Sequence, residues 1–129
     1  MTVEPVVDHG QKLASPQGKV IGFLDGKAEF EAFAETVQAA GYPASKLTSL
    51  FGADGIHLLE RLKQNSFFFA DSEDSIIQQS IRELGLGHYA AAVDVTGHQQ
   101  AMQIASLAKP HGGHSFSYFG TWVSEQLST

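Results

Sequence analysis

The sequence predicts an α+β domain: a ferredoxin-like four-stranded sheet made of two βαβ units, with a two-helix insertion between the halves. Three observations predict it. The segments 20–52 and 89–120 each read as strand, helix, breaker and strand, and each closes on Phe-Gly. Phe51-Gly52 recurs as Phe119-Gly120, and Ser49 as Ser117, all 68 residues on. Between the segments lie two stretches whose apolar residues step by three and four, as amphipathic helices require.

Residues 1–18 carry Pro5, Gly10, Pro16 and Gly18 without periodicity and read as a flexible N-terminal arm. The single domain is then 19–129: βαβ over 19–52, helical insertion over 53–87, βαβ over 88–120, and a C-terminal turn over 121–129.

The run KVIGFLD, bounded by Gly18 and Asp25, suits a buried strand. Asp25 is placed to cap a helix over about 26–40, whose inner face carries Phe30, Phe33, Ala34 and Val37. Gly41 ends that helix and Pro43 keeps it from resuming. SKLTSLFG is an edge strand of mixed polarity. Asp54 can cap the first inserted helix, with Ile56, Leu59 and Leu62 inward; the second starts near Asp74 and buries Ile77, Ile81 and Leu84. Gly85 and Gly87 stop it.

HYAAAVDV is a strand of small residues that suits closely packed helices. Thr96 and Gln99 have capping-box spacing before a helix over about 98–109, inward through Ala101, Ile104, Ala105 and Ala108. HSFSYFG alternates, with Phe116 and Tyr118 on one face, and TWVSEQL reads as a last helical turn capped by Thr121. Crossover handedness predicts parallel pairing within each βαβ unit, antiparallel contact between units, and helices on one face of the sheet.

Composition narrows function mostly by exclusion. The chain has 129 residues, 43% hydrophobic and 17% charged, which is enough for one core. Its 8 basic and 14 acidic residues give a net charge of -6, and the basic ones are scattered, so nucleic acid and anionic membranes are not expected partners. The absence of cysteine removes disulfides and thiolate chemistry. With no secretory leader and no apolar run near the roughly 20 residues of a membrane span, a cytoplasmic location is expected.

The C-terminal third carries a resemblance. LGLGHYAAAVDV, a helix, and then HGGHSFSYFGTWVSEQL resemble a group of small bacterial proteins distantly similar to the YflT-like general stress proteins. These share Gly-His before a small-residue strand, a His-Gly-(Gly/Ala)-His/Asp stretch, and an ending like Tyr-(Phe/Tyr)-Gly-Arg-Trp-Thr-x-Glu-x-Leu. The match is best over 85–127, and VIGFLDGKAEFEAFAETVQAAGY fits the group's opening strand and helix more loosely. Thr121 and Val123 stand where the group has Arg and Thr. The resemblance implies a stress-associated, non-enzymatic α+β protein without a cofactor.

The residues themselves offer few sites. His111 and His114 flank Gly112-Gly113 after Pro110, which reads first as a helix C-terminus with left-handed glycine and a histidine near the negative end of the dipole. A metal site built on His111 and His114 needs further ligands, and His88 and His98 are the available ones. His88 and His114 converge if they begin neighbouring strands on one edge of the sheet. Asp94 is the single acid inside an apolar strand, and with Tyr118 and Trp122 it makes a candidate ligand-binding set. No phosphate loop or nucleophile elbow is present. Phe67, Phe68 and Phe69 cannot all turn inward from one loop without help, so a covering element or a second copy of the chain is expected over them. The expectation is a self-associating homodimer that binds a small ligand or protein, with a metal-binding protein or enzyme using His88, His111 and His114 as the alternative.

Overall fold

The computed structural model describes residues 18–65, 71–120 and 124–127. In chain order the elements are β1 (Lys19–Leu24), α1 (Lys27–Ala39), β2 (Leu47–Leu50), α2 (Gly52–Asn65), α3 (Asp71–Gly85), β3 (Tyr89–Asp94), α4 (His98–Ala108), β4 (His114–Phe119) and β5 (Ser124–Gln126). The fold is α+β, with one five-stranded sheet in the order β2-β3-β1-β4-β5 and every neighbouring pair antiparallel.

This topology corrects the expected pairing. β1 and β2 run parallel but are not neighbours, because β3 lies between them; β3 and β4 are likewise separated by β1. Each unit donates its second strand across the other, so the backbone ladders form between units and not within them. The segment expected to end in a helical turn instead adds β5 to the edge, with Leu127 N–H donating to Phe116 O at 2.7 Å.

The helices lie on both faces, not on one. Val20, Leu24, Ala91, Val93 and Phe116 face α1 and α4, which contribute Phe33, Val37, Ala101, Ile104 and Ala108. Phe23, Ala90 and Phe119 point the other way, toward Leu59 of α2 and Ile76, Ile77 and Leu84 of α3. A strand fed by apolar residues at successive positions, such as Phe23-Leu24, can be satisfied only if both faces are covered. Side chains as fully buried as Phe33 and Phe116 each contribute on the order of 2–3 kcal/mol. Gly22 makes the central packing possible: a Cβ there would lie 2.2 Å from the Phe116 ring.

The chain follows its local capping signals only in part. Asp25 does not cap α1, whose N-cap is Gly26 without a side-chain bond. Asp54 lies inside the first turn of α2, which already starts at Gly52, and α3 starts at Asp71, three residues before the expected Asp74. The reach-back bond at α4 comes from Gln100, whose Oε1 accepts the Thr96 N–H at 2.9 Å, and not from Gln99. As expected, Pro110 closes α4, here through a 3-10 turn over Lys109–His111 that ends on Gly112 at φ 78°.

Candidate functional site

Three strands meet at one end of the sheet, where β1 finishes and β3 and β4 begin. Four polar side chains from four separate segments converge there: Asp25 after β1, Glu83 near the end of α3, His88 before β3, and His114 at the start of β4.

His88 is placed by the end of α3. Gly87 takes the left-handed conformation at φ 89°, its N–H donates to Leu84 O at 3.0 Å, and the His88 N–H donates to Glu83 O at 3.1 Å. This is the Schellman pattern, which folds the residue after the glycine back onto the third-last residue of the helix. The side chains follow the backbone, and His88 Nδ1 lies 2.6 Å from Glu83 Oε1.

His114 is placed by an irregularity in β4. Ile21 pairs with Ser117 but Phe23 pairs with His114, so three residues of β4 span two of β1. Ser115, at φ 56°, is the extra residue of this bulge. Without it His114 would share a face with Phe116. With it His114 turns to the α3 side, 6.2 Å from the Phe23 ring by centroids, and its Nε2 lies 2.9 Å from Glu83 Oε1.

Asp25, released from capping, leans toward the glycine turn. A Cβ on Gly112 would stand 3.0 Å from Asp25 Oδ2, and one on Gly113 would stand 2.5 Å from the Ala108 Cβ. The diglycine thus seats the turn on α4 with Gly113 and leaves room for a carboxylate with Gly112. Asp25 Oδ1 lies 3.6 Å from His114 Nδ1, which is also 3.1 Å from Gly112 O.

The electrostatics follow from Glu83, whose side chain is only 15% exposed. A carboxylate buried without partners costs several kcal/mol, on the order of the penalty for any unpaired buried ion. Burial raises its pKa, but the hydrogen bonds and charges of His88 and His114 outweigh burial and hold it below the usual value. For His114, burial works against protonation, yet Glu83, Gly112 O and Asp25 together raise the pKa. An ionised carboxylate only accepts, so His88 donates through Nδ1–H and His114 through Nε2–H. The Gly112 carbonyl also only accepts, so His114 Nδ1 donates its N–H there at 3.1 Å, and the ring nitrogen that keeps a lone pair is His88 Nε2. One ligand atom each from Asp25, His88 and His114 lies within 4.8 Å of the others.

His88 and His114 therefore do meet, with ring centroids 5.4 Å apart, but across the end of β1 and not on neighbouring strands. His111 is not part of the group. Its Nε2 donates to Thr36 Oγ1 at 3.1 Å, since that hydroxyl already donates to Ala32 O. His98 begins α4, beyond the other end of β3. Glu83 and Asp25 were missed in the sequence. Glu83 carries a signal, a glutamate four residues before a Gly-His at a helix end, whereas Asp25 stands where a helix cap is expected.

The expected ligand-binding set does not assemble. Asp94 pairs with Lys19 Nζ at the opposite end of β1, about 16 Å of strand from the histidines. Tyr118 packs against the α1–α4 face, the other side of the sheet from Asp94. Trp122, Phe67, Phe68 and Phe69 lie outside the described residues. A cavity of about 250 Å³ beside Tyr42, Lys46 and Gln103 is spanned by a Tyr42 Oη–H to Gln103 Oε1 bond of 2.7 Å.

No helix among the described residues is long and apolar enough to cross a membrane. Neither a family model, nor a curated protein, nor a solved structure matches the chain.

Proposed function

We propose that this chain is a non-enzymatic α+β binding module that takes a cationic ligand at the Asp25–Glu83–His88–His114 cluster. The observation that carries this reading is the convergence of two carboxylates and two imidazoles from four segments on one sheet end. With both carboxylates ionised the cluster is negative even when one ring is protonated, and so favours cations. Among the described residues, its polar partners are one another and the Gly112 carbonyl, which supports binding and offers no hydroxyl or amine nucleophile.

Histidine side-chain nitrogen spectra test the reading on a panel of zinc, nickel, ammonium and putrescine. At least one should shift the His88 and His114 signals while leaving those of His57 and His98 in place. A panel with no effect on His88 or His114 removes the proposal.

The finer fold and biology belong to the same proposal. The order β2-β3-β1-β4, with each unit's strands separated by one from the other, supports the ferredoxin-like description. Stress association and a cytoplasmic place rest on the C-terminal resemblance, and stress-induced expression of the protein tests the first. Self-association into a homodimer is supported by β2, whose outer edge carries no partner strand among the described residues. Sedimentation showing only monomer at micromolar concentration would remove it.

A further inference from the structure

We propose that Asp25, His88 and His114 bind one divalent transition-metal ion of the zinc, cobalt or nickel type, with Glu83 holding both imidazole rings in the ligating orientation. The inference rests on the cation-binding reading above and names the cation. Three geometric facts support it.

The donor set is right for such an ion. Two imidazoles and one carboxylate, with no thiolate, suit zinc, cobalt, nickel, copper or ferrous iron better than calcium or magnesium, which prefer all-oxygen sites. An ammonium ion could use the same groups only as hydrogen-bond acceptors, and ring lone pairs are better spent on a metal.

The span is close to what coordination needs. Bonds of about 2.0–2.2 Å in a tetrahedron put ligand atoms roughly 3.4 Å apart. One ligand atom from each of Asp25, His88 and His114 lies within 4.8 Å of the others, so an inward movement of the side chains completes the set. Asp25 is the side chain that can make it, being 58% exposed, whereas His88 and His114 are 24% and 26% exposed and already tied to Glu83. Gly112 supplies the space, since any Cβ there would crowd the Asp25 carboxylate at 3.0 Å.

The outer shell is already built. Ligating histidines characteristically give their second N–H to a carboxylate, which fixes tautomer and ring orientation. Here one oxygen, Glu83 Oε1, receives His88 Nδ1–H at 2.6 Å and His114 Nε2–H at 2.9 Å. His88 Nε2 is left for the metal, and His114 Nδ1, which faces Asp25 at 3.6 Å, joins it by giving up the proton it shares with Gly112 O at 3.1 Å. Three protein ligands leave a further coordination position for water.

The test is calorimetric titration of the full, untagged, chelator-treated chain with Zn²⁺ and Ni²⁺, with Mg²⁺ and Ca²⁺ as controls, and Co²⁺ absorption as a second readout. One equivalent of zinc or nickel should bind, with no binding of magnesium or calcium. H88A and H114A should each weaken zinc at least tenfold, and D25N should do the same on an exposed side chain whose replacement leaves the fold intact. E83Q should weaken zinc about 10- to 100-fold and change the visible Co²⁺ spectrum while far-ultraviolet circular dichroism stays the same. H111A and H57A should bind as the parent does. No zinc or nickel binding below millimolar concentration, or zinc binding as tight as the parent's in both D25N and H114A, overturns the metal site. Unchanged affinity and spectrum in E83Q overturn the role of Glu83. If the metals fail but ammonium or putrescine shifts the His88 and His114 signals, the metal inference falls and the cation-binding reading stands.

Discussion

His88 is fastened to Glu83 twice, by its backbone N–H to the Glu83 carbonyl at 3.1 Å and by its Nδ1–H to the Glu83 carboxylate at 2.6 Å. The first bond terminates a helix and the second orients a ring, so one turn of backbone does both tasks. Its pivot is Gly87, which carries the positive φ that a side chain would resist.

Gly87→Ala should therefore loosen the site and the fold together. A Cβ there meets nothing within 4 Å, so the penalty is purely conformational, about 1 kcal/mol. Thermal unfolding should report that loss, and zinc titration should report weaker binding than in the parent.

Gly22→Ala should be far more damaging, because the added methyl would lie 2.2–2.4 Å from three atoms of the Phe116 ring. Overpacking of this kind costs about 1–3 kcal/mol, and more where the ring cannot move. Urea unfolding of G22A, F116L and the double variant checks it. The double variant should be more stable than the sum of the single losses predicts, since F116L vacates the space that the methyl needs.

Ser115→Gly should stabilise the chain by up to about 1 kcal/mol, because Ser115 is the single described non-glycine residue at positive φ. Zinc affinity should be unchanged, since the bulge and the facing of His114 persist. A loss of stability on urea unfolding would mean that the serine side chain holds the bulge.

The cluster also sets a pH window for the metal-free protein. His114 has a raised folded pKa, so its contribution is fully present below its ordinary value of 6.5 and fades as pH rises through the folded value. Glu83 has a lowered folded pKa, so its contribution is present above its ordinary value of 4.5 and fades as pH falls through the folded value. Urea midpoints of wild type and E83Q should differ most between pH 4.5 and 6.5 and converge on either side. A constant difference from pH 3 to pH 9 would contradict this account.

Much of the fold was legible because its determinants are local. Val37 and Phe33 at helical spacing, Gly41 at a helix end and the alternation of Phe116 and Tyr118 each act within a few residues, and each element appears near its expected place. The glycine turn after Pro110 was legible for the same reason. Pairing was not local. Whether β2 lies beside β1 or beside β3 depends on which strand takes the ladder position next to β1, and no window of sequence contains that competition.

The site divides along the same line. The sequence by itself determined that histidines stand at the starts of two strands, that a Gly-rich turn precedes one and a helix end the other, and that no cysteine or nucleophile motif competes with them. Tertiary structure alone decided that His114 joins His88 while His111 turns to Thr36. It also brought Glu83 between the rings and freed Asp25 from a helix cap to face them. The physical reason is the extra residue at Ser115: a bulge moves a side chain to the opposite face of a sheet, and alternation in the sequence carries no mark of it.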